Sequence, residues 1–278
     1  MERDVSVNGV RLHCVVEGEG PLVLLLHGFP ETSHAWRKQI PELARRFRVV
    51  APDLRGYGRS DKPSGVDAYR TPVLADDVAG LVRAFGVERA HIVGHDWGGA
   101  VAWAFAMLHP DAIDQLVVLN CPHPAVMARA LRSNWRQIRR SWYIFAFQLP
   151  WLPERILARD GARAIKDALR RSAKRPETFT EADLELYARA FSTPGAATGA
   201  INLYRAAVRA RIPARKIAAP TLLIWGEDDS ALGIELTRGM EALFVRPPRI
   251  EYLPETSHWV MEERPDVVNR LLNEFLRA

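Results

Sequence analysis

Three side chains of this sequence are of types that carry out nucleophilic catalysis, and each stands just beyond an apolar run. Asp96 lies in "GHDWGG", between the apolar run "AHIV" and the helix-like segment "AVAWAFAML". Asp229 follows the run "TLLIWG", and His258 follows the run "RIEYL". A glycine-framed residue between a strand and a helix sits on a sharp turn that presents it to a reactant. The chain order of nucleophile, acid and histidine predicts a triad of these three residues.

Each member of this predicted triad has a chemical role. His258 is predicted to be the general base, because imidazole titrates near neutral pH, and the acid would fix its tautomer. Asp229 is chosen as that acid over its neighbour Asp228, which is expected to be exposed. The segment "HGFP" leaves another apolar run. The backbone N–H groups of Phe29 and Trp97 are predicted to form an oxyanion hole.

A carboxylate at the nucleophile position restricts the substrate. An alcohol nucleophile serves acyl transfer, but on a saturated carbon it would form an ether that activated water does not readily cleave. Asp96 attacking a saturated carbon would form an alkyl ester, which water can hydrolyse at the carbonyl. Asp96 therefore points to an electrophilic sp³ carbon, in an epoxide or an alkyl halide.

The elements that position these residues alternate between strands and helices. Continuous Val, Ile and Leu runs predict a buried, mostly parallel sheet, and helical segments follow them. This is the pattern of a doubly wound α/β fold. The alternation stops after residue 121, where only helical patterns follow, and it resumes at "APTLLIWG". We therefore expect a core of residues 1–121 and 213–278, with a helical cap domain of residues 122–212 over the sheet.

Composition narrows the classes of partner. The net charge is +5, yet the segment 122–219 holds 19 Lys and Arg against 7 Asp and Glu. Mixed charges at helical spacing favour a solvated arginine face, so we expect no nucleic-acid partner. No apolar run has the roughly 20 residues of a membrane helix, so no membrane partner is expected either. The N-terminus lacks a signal peptide and there are 2 cysteines, which favours the cytoplasm. No cofactor or metal is expected, and the chain is predicted to be a monomer or homodimer.

The motifs together resemble those of the epoxide hydrolases of the α/β-hydrolase superfamily. The similarity extends through "HGFPETSHAW", "APDLRGYGRSDKP", "GHDWGGAVAW", "LNCPHP", "WGEDD" and "SHWV". The resemblance implies an α/β-hydrolase fold and conversion of apolar epoxides and water to vicinal diols. It also implies two cap tyrosines that hydrogen-bond to the epoxide oxygen. "SWYIFAFQLP" and "NLYRA" resemble their segments, which makes Tyr143 and Tyr204 the candidates, with Tyr187 as a rival.

Two alternatives remain open. Much of the motif set is shared with haloalkane and fluoroacetate dehalogenases, so a haloalkane or haloacid dehalogenase with the same nucleophile is the first alternative. Fluoroacetate dehalogenases carry a cationic residue where Trp97 stands, and haloalkane dehalogenases often carry asparagine where Phe29 stands. Because the sequence departs from these two dehalogenase patterns, epoxide hydrolase is the better match. A non-catalytic binding protein on the same fold is the second alternative.

Aromatic residues are frequent in the predicted cap. They suggest an apolar pocket wall, although they could equally pack the cap onto the core. Trp142 and Trp259, next to Tyr143 and His258, are predicted to line the substrate pocket. The other aromatic residues considered for this wall are Trp135, Phe145, Phe147 and Trp151.

Overall fold

Eight strands run through the described residues, which are 1–209, 212 and 215–277 of the computed structural model. The strands are β1 (Glu2–Val7), β2 (Val10–Glu17), β3 (Leu22–Leu26), β4 (Arg48–Pro52), β5 (Ala90–His95), β6 (Ile113–Leu119), β7 (Thr221–Gly226) and β8 (Arg249–Leu253). They form one sheet in the order β1-β2-β4-β3-β5-β6-β7-β8.

The sheet is mostly parallel, as the sequence predicts. The β1–β2 and β2–β4 pairs are antiparallel, and all the remaining pairs are parallel. All residues of β3, β5 and β7 are buried. Strands buried on both faces are typical of parallel sheets covered by helices, which is why they read as continuous apolar runs.

Helices cover both faces of this sheet. Alternate residues of β3 belong to different apolar clusters: Leu24 packs with Trp103 on one face, and Leu25 packs with Trp36 on the other. This division follows from the two-residue period of a strand. The helices are α1 (Ile40–Leu43), α2 (Thr71–Ala84), α3 (Trp97–Leu108), α4 (Pro124–Ser133), α5 (Trp135–Arg140), α6 (Trp142–Ala146), α7 (Leu152–Ser172), α8 (Glu181–Phe191), α9 (Ala196–Ala207), α10 (Val260–Glu263) and α11 (Pro265–Phe275).

The described residues between β6 and β7 hold the helices α4 to α9, joined by loops, and they contain no strand of the sheet. Helix α7 is interrupted at 159–162 by non-helical backbone angles. The contacts of this segment with the remainder of the chain include polar ones: His34 Nε2 lies 2.7 Å from Asp183 Oδ1, and Trp259 Nε1 donates to Ser172 Oγ at 2.9 Å. The expected boundary at 212/213 adjoins residues 210, 211, 213 and 214, which lie outside the described residues.

No helix within the described ranges is both long enough and apolar enough to span a bilayer. Cys14 and Cys121 are free and buried.

Candidate active site

Asp96 stands on a strained turn between β5 and α3. Its φ of 48° and ψ of −117° are unusual for a residue with a side chain, and such strain is frequent at functional sites. The turn is tight because Gly98 lies against the backbone carbonyl of Leu26, where a Cβ atom would overlap with it. The sequence "GHDWGG" therefore raises Asp96 above the carboxyl end of the sheet, at the N-terminus of α3.

The two carboxylate oxygens of Asp96 face different partners. Oδ1 accepts a hydrogen bond of 2.8 Å from the backbone N–H of Phe29. Oδ2 lies 3.6 Å from Nε2 of His258. Phe29 follows Gly28, whose missing side chain leaves room for the Asp96 side chain. One oxygen thus lies on a backbone donor and the other beside the imidazole.

His258 bridges the two aspartates. Its Nδ1 lies 2.7 Å from Oδ2 of Asp229, and the ring is buried. Burial alone would lower the pKa of His258, but the charge and hydrogen bond of Asp229 and the charge of Asp96 raise that pKa to about 9. In the resting protein the imidazole is therefore held as a cation between two carboxylates at neutral pH.

Asp229 is buried and fully engaged by donors. Its Oδ1 accepts from the backbone N–H groups of Ala231 and Leu232 at 2.8 and 2.9 Å. Burial would raise the pKa of Asp229, but His258 and these donors hold it below its ordinary value. Asp228, the rival, is instead exposed and pairs with Lys174 at 2.6 Å.

Asn120 is a site residue that the sequence analysis missed. Its Nδ2 donates to Oδ2 of Asp229 at 2.7 Å, and its Oδ1 accepts from the backbone N–H of Gly226 at 3.0 Å. It follows β6 with a φ of 41°. The signal was its place at the end of a buried strand, next to the strand that carries Asp229.

The sequence analysis also missed a buried pair, Glu31 and His95, which contacts the backbone of His258. Nδ1 of His95 is 2.8 Å from Oε2 of Glu31, and its Nε2 is 3.0 Å from the backbone carbonyl of His258. The same Glu31 oxygen accepts from the backbone N–H of Gly28 at 2.9 Å. Both side chains are buried, so this pair ties the loop before Phe29 to the loop that carries His258.

The two candidate tyrosines converge from helices α6 and α9. The rings of Tyr143 and Tyr204 lie edge to face with centroids 5.8 Å apart. Tyr204 also packs against Trp97 at 4.8 Å and Phe29 at 5.4 Å. Burial, together with the negative charge of Asp96, raises the pKa of both phenols, so both keep their protons at neutral pH.

The rival Tyr187 lies elsewhere. It is fully buried in α8, with its ring 5.8 Å from that of His34. Its hydroxyl has no hydrogen-bond partner among the described residues. The structure therefore groups Tyr143 and Tyr204 with Trp97 and Phe29, and it leaves Tyr187 apart from them.

The predicted pocket tryptophans differ in placement. Trp259 is buried, and its ring lies 4.9 Å from that of His258. Trp142 is 67% exposed, so its prediction as a pocket residue is corrected to a surface position. Of the other aromatic residues considered, Phe147 packs on Tyr204 at 4.9 Å, whereas Trp135, Phe145 and Trp151 are exposed. Aromatic side chains of one segment point both toward the protein and toward solvent, and aromatic content alone does not indicate which of them are buried.

The fold and the site define an α/β hydrolase, and comparison with known proteins agrees. A family model described as alpha/beta hydrolase fold matches residues 21–265. The AB hydrolase superfamily protein YfhM of Bacillus subtilis is 40% identical over 98% of this chain and 96% of its own length. Epoxide hydrolase 3 of Xenopus tropicalis is 38% identical over 97% of this chain and 76% of its own length.

Comparison with a solved structure also shows similarity to an epoxide hydrolase. The crystal structure of the Bacillus megaterium epoxide hydrolase in complex with an inhibitor superposes with a TM-score of 0.89 and 31% identity, covering 98% of this chain and 99% of that one. The chain therefore belongs to the epoxide hydrolase family of the α/β-hydrolase superfamily.

Proposed function

We propose that this protein hydrolyses apolar epoxides to vicinal diols through an ester on Asp96. The observation that carries the proposal is the placement of the two Asp96 oxygens, with Oδ1 on the Phe29 N–H at 2.8 Å and Oδ2 beside His258 at 3.6 Å. This arrangement suits a carboxylate that attacks through Oδ2 and holds Oδ1 as the carbonyl oxygen of the resulting ester.

The first step opens the epoxide. Oδ2 of Asp96 forms a bond to an epoxide carbon while the carbon–oxygen bond of the ring breaks. The oxygen that leaves takes a proton from Tyr143 or Tyr204, which remain protonated at neutral pH because burial and Asp96 raise their pKa. A positioned acid of this kind contributes about 10²–10⁴ in rate. The products are a hydroxyalkyl ester and a phenolate.

The second step hydrolyses the ester. Esterification removes the charge of Asp96, one of the carboxylates that raise the pKa of His258, so that pKa falls. The Nε2 proton of the imidazolium then passes to the phenolate and restores the phenol, and the neutral imidazole can act as a base. Water gives a proton to Nε2 of His258 and adds to Cγ of Asp96. The oxyanion is stabilised by the Phe29 N–H and, in this proposal, by that of Trp97.

Collapse of this intermediate completes the cycle. The bond between Cγ and Oδ2 breaks, and the diol leaves with Oδ2 and the proton of His258. The remaining proton of the water passes to Nε2 of His258 and restores the imidazolium of the resting protein. The Asp96 carboxylate is regenerated with one oxygen from water.

We also propose the organisation in which this chemistry takes place. Residues 1–121 and 213–278 form the catalytic core, and 122–212 form a cap that carries Tyr143 and Tyr204. The cytoplasm is the proposed compartment, because both cysteines are free thiols and a reducing environment keeps them so.

A trapping experiment tests the proposed function. His258→Gln removes the base but leaves Asp96 and both tyrosines, so an epoxide should alkylate the protein and the ester should accumulate. Intact-mass and peptide analysis after exposure to styrene oxide should find one adduct, on Asp96. A 1-haloalkane of similar size is the matched probe. Faster trapping of the haloalkane would favour a dehalogenase, and no adduct from either probe would contradict the ester route.

A further inference from the structure

Exposed large apolar side chains are concentrated along α5, α6 and the start of α7. Twelve large apolar side chains are exposed in the described residues, and seven of them lie between residues 135 and 156. A surface tryptophan usually packs on neighbouring side chains, whereas these three tryptophans are 62–72% exposed. We call this set the cap face: Trp135, Trp142, Phe145, Leu149, Trp151, Leu152 and Ile156.

Arginines without acidic neighbours accompany the cap face. No Asp or Glu occurs from residue 115 to residue 153, whereas five arginines do. Arg132, Arg136 and Arg139 are exposed, and none lies within 4.0 Å of a carboxylate in the part of the chain that the structure describes. Elsewhere on this protein exposed arginines commonly form ion pairs, as Arg45 does with Glu42 at 3.0 Å.

Hydrogen bonds hold the turn between α6 and α7, which carries part of the cap face. Arg205 donates from Nε to the carbonyl of Phe147 at 3.0 Å and from a terminal nitrogen to that of Leu149 at 2.6 Å. Trp151 follows with a φ of 51°, a strained value for a bulky residue. Its ring remains exposed, with the guanidinium of Arg155 5.3 Å from the centroid. The turn that carries Leu149 and Trp151 is therefore held by hydrogen bonds from Arg205 of α9.

We propose that the cap face docks on the headgroup region of an anionic lipid bilayer. Tryptophan is enriched at the boundary between headgroups and acyl chains, and arginines beside it are attracted to anionic lipids. Apolar area and positive charge together are the combination that holds a protein on such a surface. Two copies meeting through this face would bring arginine against arginine, which disfavours a symmetric dimer.

Docking of this kind requires no spanning helix. The prediction of no membrane partner rested on the lack of a long apolar run, which bears only on spanning. Helix α6 exposes Trp142 and Phe145, whereas the half-buried Tyr143 packs against Tyr204. An apolar epoxide dissolved in the bilayer would meet the protein at this helix, a consequence that rests on the proposed function. Binding itself does not rest on it.

Vesicle co-sedimentation tests the proposal independently of activity. The intact chain should bind phosphatidylcholine vesicles containing about one-third phosphatidylserine and bind pure phosphatidylcholine much less. Raising the salt from about 0.1 M to 1 M should weaken binding, because the screening length falls from about 10 to 3 Å. The variant R132Q/R136Q/R139Q should lower the partition coefficient onto the vesicles at least about tenfold, a loss of roughly 0.5 kcal/mol or more per arginine.

Matched variants distinguish the effect of arginines beside the cap face from the effect of the protein's total charge. R45Q/R83Q/R270Q removes three exposed arginines from outside the cap face and should bind like the unmodified chain. W142A/W151A should lose binding at low salt with unchanged epoxide turnover in detergent-free buffer. Equal binding by both arginine variants, or no dependence on phosphatidylserine, would overturn the proposal. The proposal would also be overturned if the unmodified chain formed a dimer and did not bind vesicles, and if W142A/W151A dissociated that dimer. That result would assign the cap face to contact with a second copy.

Discussion

Asp229 is the residue on which the orientation of the imidazole depends. It accepts from two backbone N–H groups and from Asn120, and it lies 2.7 Å from His258. These donors fix the carboxylate, which in turn fixes which imidazole nitrogen faces Asp96. Asp228 has none of these contacts, because its side chain points outward to Lys174. Adjacent residues of identical chemistry thus occupy entirely different environments.

Paired substitutions of these neighbours test that assignment. Asp229→Asn should slow ester hydrolysis by about 10²–10⁴-fold, because the imidazole loses the carboxylate that sets its tautomer. Alkylation of Asp96 should change far less. Rapid-quench mass spectrometry measures both rates as the growth and decay of the adduct. Asp228→Asn is the matched control and should behave like the unmodified protein; a larger loss in Asp228→Asn than in Asp229→Asn would reverse the choice.

At the scale of elements, short helices of the inserted segment place the two phenols. Helix α6 carries Tyr143 and helix α9 carries Tyr204, and the rings meet edge to face against Phe29 and Trp97. Gln148 reinforces this placement by donating to the carbonyl of Tyr204 at 3.2 Å. The acid of the proposed first step therefore belongs to different elements from the nucleophile and the base.

This separation predicts that substitution of the two tyrosines slows the first proposed step and leaves the second nearly unchanged. Tyr143→Phe and Tyr204→Phe should each slow alkylation, and the double variant should lose about 10²–10⁴-fold, because the leaving oxygen then lacks an acid. Ester hydrolysis should remain near normal, since it uses His258 and backbone N–H groups. Single-turnover kinetics with an epoxide separate the steps. Tyr187→Phe is the matched buried control, and near-normal epoxide opening in the double variant would count against the assignment.

The elements were largely predictable from the sequence. The apolar runs before Asp96 and Asp229 became β5 and β7, because continuous burial gives each of these strands a strong local signal, and the run before His258 became β8, which is only partly buried. Asn120 and the Glu31–His95 pair were missed because their contacts join segments far apart in the chain. The exposure of Trp142 was missed for a related reason. Helical spacing indicates which residues share a face, but it does not indicate which face meets a partner.

At the scale of the whole molecule, the buried His258 links stability to pH. Asp229 and Asp96 raise the pKa of His258 to about 9, above the value near 6.5 of an unfolded chain. The folded state therefore binds this proton more tightly. The stabilisation is complete below about pH 6.5 and is lost as the pH rises through about 9.

Urea unfolding across this window checks the linkage. The free energy of unfolding of the unmodified protein should fall by roughly 1–3 kcal/mol between about pH 6 and pH 9.5. His258→Gln should show a smaller fall over the same range, because the titrating group is gone. The comparison uses the slope with pH, so a general destabilisation of the variant does not affect it. Equal slopes in both proteins would show that His258 does not carry the effect.

The source of the oxygen in the product tests the ester on Asp96 most directly. The protein in excess over an epoxide in ¹⁸O-labelled water should yield, in a single turnover, a diol with almost no label. The label should appear instead in the carboxylate of Asp96, detected in the peptide that contains it, because water attacks Cγ and Oδ2 leaves with the diol. A fully labelled diol with an unlabelled Asp96 would mean that water attacks the epoxide directly, and it would contradict the proposed mechanism.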